Sequence, residues 1–271
     1  MSFRTCSVQQ SIRLASAGLV AAALIAGCST GTAESDNEYD AAKPGAHGWS
    51  YEGVSGPEKW GDIDPEFATC KTGRAQSPIN LGVDDRTTEA AKISIDYKVV
   101  SLKLENNGHT VQATVPPGNT IAVDGTSYEL QQFHFHLPSE HTVRGEGAAM
   151  EVHFVHKDAA GKIAVLGVLM DETPGLSPFA SIWKTLPAQK GETRNIDQPD
   201  DLNSLLPQEH GSFQYEGSLT TPPCSEGVRW VVLRQVVGIS PEEVNQYRKI
   251  FPRTNRPVQP RNDRDLVTTA N

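Results

Sequence analysis

The stretch Gln131–Thr142, Q-Q-F-H-F-H-L-P-S-E-H-T, decides how the rest of the chain is read. From Tyr128 to Leu137 aromatic and apolar residues dominate and Pro138 closes the run, so the pattern predicts a strand over 128–137. Successive side chains of a strand point to opposite faces. His134 and His136 therefore share one face, and Phe133 and Phe135 the other. Two imidazoles side by side on a rigid surface make half a site for a borderline-soft divalent ion such as zinc, which accepts neutral imidazole nitrogen. The next strand-like run, Met150–Lys157 (M-E-V-H-F-V-H-K), puts Glu151, His153 and Val155 on one face and Val152, Phe154 and His156 on the other. A hairpin through 138–149 sets His153 beside the first pair. Three His without an evident fourth ligand describe a catalytic metal site with a position open to water; a structural site would be closed.

Four blocks, Q-F-H-F-H at 132–136, S-E-H-T at 139–142, E-V-H-F-V-H at 151–156 and S-L-T-T-P-P at 218–223, resemble the α-class carbonic anhydrases in wording, order and spacing. The resemblance runs from about His47 to Leu266. It implies a single mostly-β domain with a large central, mixed, twisted sheet and a few short helices. It also implies reversible hydration of CO2 to bicarbonate and a proton, by attack of a zinc-bound hydroxide, with the zinc on His134, His136 and His153. His109, in the block Asn106-Asn107-Gly108-His109, is then the proton shuttle. An unperturbed imidazole pKa near ~6.5 suits that task. Thr220 orients the nucleophile and donates to Glu140, while Gln132 and Glu151 fix imidazole tautomers. The same resemblance implies that Tyr51, which on sequence alone reads equally as a packing residue, helps order active-site water, and that Thr221 hydrogen-bonds bicarbonate or an anionic inhibitor. Val155, Val165, Leu219 and Trp230 form an apolar wall for CO2.

Without the resemblance, Glu140 reads as a surface charge, His109 as a solvated turn residue, and the wall residues as core. His47, His141, His156 and His210 read as structural or solvated, and Trp49 and Trp60 as packing residues. Gln76-Ser77-Pro78-Ile79-Asn80 reads as scaffold. The block Thr254-Asn255-Arg256-Pro257 matches the family only in part, which weakens any transfer of backbone partners there. Two other classes compete. H-x-H-x-x-x-E (His134, His136, Glu140) is the first half of the cupin motif, in which Glu is a fourth ligand to manganese or iron. His153 arrives too early for the second cupin block, and Pro138 ends the strand before Glu140. The other is a non-catalytic zinc-binding lipoprotein on the same scaffold; such relatives usually lose a ligand His, and all three are present.

The N-terminus stands apart. Arg4 and Arg13 flank an otherwise uncharged start, and Leu14–Ala26 is a short apolar run ending in small residues. This predicts a secretory signal over 1–27, too short to span a membrane as a helix. Leu24-Ile25-Ala26-Gly27-Cys28 resembles the lipobox of bacterial lipoproteins, which makes Cys28 the lipid-modified first residue of an exported chain. Its acyl chains would hold it to a bacterial cell membrane on the periplasmic or extracellular side, each buried CH₂ adding roughly 0.8 kcal/mol. Ser29–Lys43 is small, polar and acidic, so 28–45 reads as a flexible tether and 46–271 as the domain. Without residues 1–27 the chain keeps 22 Lys and Arg (24 less Arg4 and Arg13) against 33 Asp and Glu, a formal −11. That excludes a basic surface for nucleic acid. Cys6 leaves with the signal and Cys28 is the lipid site, so an exported chain pairs Cys70 with Cys224.

Elsewhere, turn-punctuated strands are expected between 93 and 123. Lys162–Met170 is apolar on both faces, hence a buried central strand. A short helix is expected over Phe179–Leu186, a strand over Trp230–Val237, and a helix opened by the capping box Ser240-Pro241-Glu242-Glu243 and running to about Ile250.

Overall fold

Runs of apolar residues at period two, broken by Gly, Pro and Asn, give strands here, and the strands assemble into one large sheet. A computed structural model of the chain describes residues 48–82, 91–175, 177–196 and 198–269. The signal-type segment, Cys28, the acidic tether and His47 lie outside the described residues. Among the described residues the main sheet has eleven strands. They are β1 (Ile93–Asp96), β2 (Lys103–Asn106), β3 (Val111–Thr114), β4 (Thr120–Val123), β5 (Thr126–His136), β6 (Met150–Lys157), β7 (Ile163–Glu172), β8 (Thr193–Asn195), β9 (Ser212–Ser218), β10 (Glu226–Ile239) and β11 (Val267–Thr268). Their order is β8-β2-β3-β5-β6-β7-β10-β9-β11, with β4 pairing β5 and β1 pairing β4. The pair β7–β10 is parallel and the rest are antiparallel, so the sheet is mixed as expected.

The hairpin partners β5 and β6 pair with His153 directly opposite His134 and Glu151 opposite His136. β7 lies between β6 and β10 and is buried from Ala164 to Met170, which is why its sequence is apolar on both faces. The described α-helices are α1 (Trp60–Ile63), α2 (Thr69–Thr72), α3 (Ala180–Trp183) and α4 (Pro241–Ile250). The sheet separates two cores. On one side Phe133, Phe135, Phe154, Leu166 and Val231 pack with Trp183 of α3 and Tyr247 of α4. On the other side Val155, Val165, Tyr215 and Trp230 pack with Ile79 and Leu81. The three histidines project from this second face.

Local details differ from the sequence reading at element ends. α3 is a single turn instead of eight residues, because Pro187 disfavours helical backbone at Leu186. β10 extends well beyond Trp230–Val237, since β7 and β9 pair with it on both sides. α4 opens as expected: Ser240 Oγ accepts from Glu243 N–H at 3.2 Å and Glu243 Oε2 accepts from Ser240 N–H at 3.0 Å. Its Tyr247 hydroxyl donates to Phe135 O at 3.0 Å and so ties the helix to β5. The Cys70–Cys224 disulfide is formed and spans 154 residues. In the chain-entropy picture a loop of that length contributes at most about 5 kcal/mol.

His156 sits in the first core with no exposure. Its Nδ1–H donates to Ala164 O (3.3 Å), and its Nε2 accepts from the Tyr97 hydroxyl (2.7 Å). Burial pushes its pKa down to about 3, against the raising effect of backbone carbonyls. The unfolded chain binds that proton near ~6.5, so the stability conferred by the neutral ring is whole above pH 6.5 and is lost as pH falls toward 3. At pH 5 this residue alone removes about 2 kcal/mol. Urea midpoints at pH 7.5 and pH 5 should therefore converge in a Tyr97→Phe/His156→Leu double variant relative to wild type; an equal acid loss in both proteins would refute the assignment.

Candidate metal centre

The site grows from β5 and β6. Side chains of His134, His136 and His153 converge on one face, with one ligand-type atom of each within 4.8 Å of the others. Ring centroids are 5.0 Å apart for His134–His136, 5.5 Å for His134–His153 and 4.4 Å for His136–His153. Each ring has one nitrogen clamped. His134 Nδ1 donates to Gln132 Oε1 at 2.8 Å, His136 Nδ1 to Thr254 O at 2.6 Å, and His153 Nε2 to Glu151 Oε1 at 2.8 Å. The clamps fix two Nε2 lone pairs and one Nδ1 lone pair toward a common point. His136 Nε2 is buried with no hydrogen-bond partner. An orphaned buried acceptor facing two more imidazole lone pairs is what a divalent cation would satisfy, so the residues fit a metal. Burial also keeps the rings neutral: it lowers the pKa of His136 to about 4 and those of His134 and His153 below their usual value, and neighbouring imidazoles add to the effect on His134 and His153.

Glu151 anchors the cluster. Its Oε2 accepts from the backbone N–H of Glu140 (2.9 Å) and of His141 (2.8 Å), and its Oε1 from His141 Nδ1 (2.7 Å) and His153 Nε2 (2.8 Å). Burial alone would raise this carboxyl, but electrostatic attraction to the His141 and His153 rings and the hydrogen bonds from them outweigh it and hold the group ionised. On β7, Gly167 pairs with His153 of β6, and a Cβ there would sit 3.1 Å from Glu151 Oε1. From His141 Nε2 the chain of contacts continues to the Tyr215 hydroxyl (2.7 Å), which donates to Ser77 Oγ (2.8 Å).

Glu140, read from sequence alone as a surface charge, is 1% exposed. Its Oε1 accepts from Arg256 N–H at 2.7 Å, and burial pushes its carboxyl up to about 7 against the lowering influence of His153, Arg256 and Thr220. The Thr220 hydroxyl acts on the Glu140 carboxyl and lowers its pKa, while Glu140 Oε2 is buried without a hydrogen-bond partner. Val155, Val165 and Trp230 line the second core beside the imidazoles, with Leu219 packed against them. The Trp230 ring lies 4.8 Å from His153. Thr221, half-buried, accepts Cys224 N–H at its carbonyl (2.8 Å) within the loop braced by the disulfide. Tyr51 packs edge-on against Trp49 and Trp60, and burial together with the Glu140 charge keeps its phenol protonated.

His109 is stacked on Trp49, ring centroids 3.8 Å apart and planes 10° from parallel. Burial first, and then the nearby Lys190 charge, lowers its pKa to about 4. In this conformer the ring is a weak base that sheds a proton readily at neutral pH.

The sequence profile of the eukaryotic-type carbonic anhydrase family matches residues 55–270. The chain belongs to the α-class carbonic anhydrases. A carbonic anhydrase of Klebsiella pneumoniae is 42% identical over 222 residues, spanning 81% of this chain and 90% of that protein. One from Neisseria gonorrhoeae is 40% identical over 232 residues, 84% and 91% of the two chains. The solved α-carbonic anhydrase of Thermovibrio ammonificans, in complex with the inhibitor sulfanilamide, superimposes with a TM-score of 0.80 at 41% identity, over 82% of this chain and all of that one. The chain is thus a carbonic anhydrase, and family and fold support CO2 hydration as its reaction.

The α-class fold brings in residues that sequence reasoning undervalued. His141 is fully buried and bridges Glu151 and Tyr215, Trp49 carries His109, and the scaffold block contributes Ser77. Thr254 and Arg256, in the partly matching block, supply backbone partners after all. Spacing signalled none of these, because each acts through a contact at least 60 residues away in the chain or through its main chain. Gly217 lies at the centre of this packing: a Cβ there would overlap Ser77 Oγ and sit 2.8 Å from Trp230 Cδ1. Gly217→Ala should therefore cost about 1–3 kcal/mol. In a domain of this size that lowers Tm by roughly 2–10 °C, read by calorimetry; an unchanged Tm would contradict the packing.

Proposed function

We propose that this carbonic anhydrase is zinc-dependent, with His134 Nε2, His136 Nε2 and His153 Nδ1 as ligands and His109 as proton relay. The observation that carries the reading is the convergence of three clamped imidazoles on a buried, partnerless His136 Nε2. Zinc held there would supply Lewis acidity, making a water nucleophilic near neutral pH; the figure of about 7 for such a water comes from carbonic anhydrases themselves.

The chain's own groups then do the rest. Glu140 Oε1 is already occupied by Arg256 N–H, so its Oε2 accepts the hydrogen bond donated by the Thr220 hydroxyl. Thr220 Oγ1 is left only as an acceptor, which fixes the O–H direction of the nucleophile and turns its lone pair toward the substrate. CO2, without a dipole, rests against Val155, Val165, Leu219 and Trp230. Thr221 receives bicarbonate by hydrogen bond, and Tyr51, held neutral, orders water on the route to His109. His109 takes a proton at a ring nitrogen and passes it to solvent from the stack on Trp49. Gln132, Thr254 O and Glu151 hold the three tautomers in place. Stopped-flow CO2 hydration on zinc-loaded residues 29–271 should be fast and should vanish in His134→Ala. His109→Ala should lower kcat by at least tenfold while leaving kcat/KM nearly intact. Zinc binding without hydration above the variant's level would favour a binding protein on this scaffold.

We further propose that the protein is exported and anchored by lipid at Cys28, on the strength of the signal pattern and the lipobox-like Leu24–Cys28. Mass spectrometry of the mature protein should find a lipid-modified Cys28 at its N-terminus. An unmodified terminus elsewhere defeats the anchor.

A further inference from the structure

One charged group beside the site has no part in the chemistry so far. The loop before β8 is clamped to the last residue of β2 by backbone bonds: Gly191 N–H donates to Asn106 O (2.7 Å), and Asn106 N–H to Glu192 O (3.0 Å). Asn106 Nδ2 adds a bond to Pro187 O (3.3 Å). The clamp lays the stem of Lys190 across Gly108, where a Cβ would sit 2.8 Å from Lys190 Cδ and Cε. Gly108 has φ +91 as well, so a side chain there would be strained as well as crowded. The next residue is His109, stacked on Trp49.

Of the other ionisable groups on the surrounding elements, Glu192 is paired and Tyr51 neutral. Glu192 accepts from Ala188 N–H, Gln189 N–H and Arg194, which neutralises that pair. Tyr51 on the N-terminal arm stays protonated, and Glu105 lies on β2, in the strand pair with Thr193. Lys190 is the charge that acts on the His109 ring, second to burial.

We infer that Lys190 is a positioning residue for proton release, its stem held over Gly108 so that its positive charge favours discharge of the His109 imidazolium to solvent over retention. In this step one ring N–H bond breaks and the proton passes to water or a buffer base. His109 returns to neutral imidazole, and Lys190 keeps its own proton. The inference rests on His109 being the relay.

The test uses zinc-loaded enzyme with Lys190→Met, which keeps the stem and removes the charge, and Lys190→Glu. Proton–carbon NMR of the His109 ring gives its titration midpoint directly. That midpoint should rise by roughly half a pH unit in Lys190→Met and by about twice as much in Lys190→Glu, the scale of a screened charge near the surface. Both shifts should shrink at high salt. The pH profile of kcat should follow, with kcat/KM unchanged, and neither variant should alter kcat in a His109→Ala background. A midpoint that stays put in both variants overturns the inference. Undiminished kcat in His109→Ala alone instead overturns the relay assignment on which it rests.

Discussion

The carboxylate of Glu151 accepts four hydrogen bonds in a place water does not reach, and most of the site is held by them. Two come from consecutive backbone N–H groups at Glu140 and His141, and so fix the loop after β5. One comes from His153 and selects its tautomer. The last comes from His141, whose own far nitrogen reaches Tyr215. A buried carboxylate stripped of such donors would be expelled or protonated; with four of them it stays ionised and fixes each donor in return. One side chain therefore couples strand, loop and imidazole orientation.

The rest of the sheet explains why such an arrangement persists. β6 runs between β5 and β7, so His153 has no freedom to leave its position opposite His134. Phe133, Phe135 and Phe154 fill the face behind the imidazoles with close-packed rings. Lateral support comes from α4 through Tyr247 and Phe135 O. The histidines are thus borne by the most rigid part of the molecule, as a site with fixed lone-pair directions requires.

Much of this could be read from residues alone, and the reason is periodicity. Alternation in Phe133–His136 and Glu151–His156 carries facing directly, and one hairpin brings the two runs together. The capping box of α4 was legible because its signals are local. What could not be read is whatever depends on contacts that sequence distance conceals. Glu140 looks like a surface charge until its burial is seen, and His141 like filler until Glu151 and Tyr215 close around it. Trp49 reads as packing because nothing in its neighbours announces His109. α3 is shorter than its apolar pattern suggests, because Pro187 restricts the backbone of Leu186. Thr254 and Arg256 act through backbone atoms, which residue identity scarcely records.

Arg256 has a consequence for the order in which the molecule comes together. Its guanidinium, 1% exposed, donates to Cys70 O, Gln76 Oε1 and Ser77 O, while its backbone N–H caps Glu140. Two residues earlier, Thr254 O holds the ring of His136. The opening and closing portions of the domain thus meet at the imidazoles, with nearly the whole polypeptide between them. A fragment that forms β5 and β6 but lacks residues 254–256 has no group to aim His136 or restrain Glu140. The triad therefore acquires its final geometry only when segments 180 residues apart in the chain have come together.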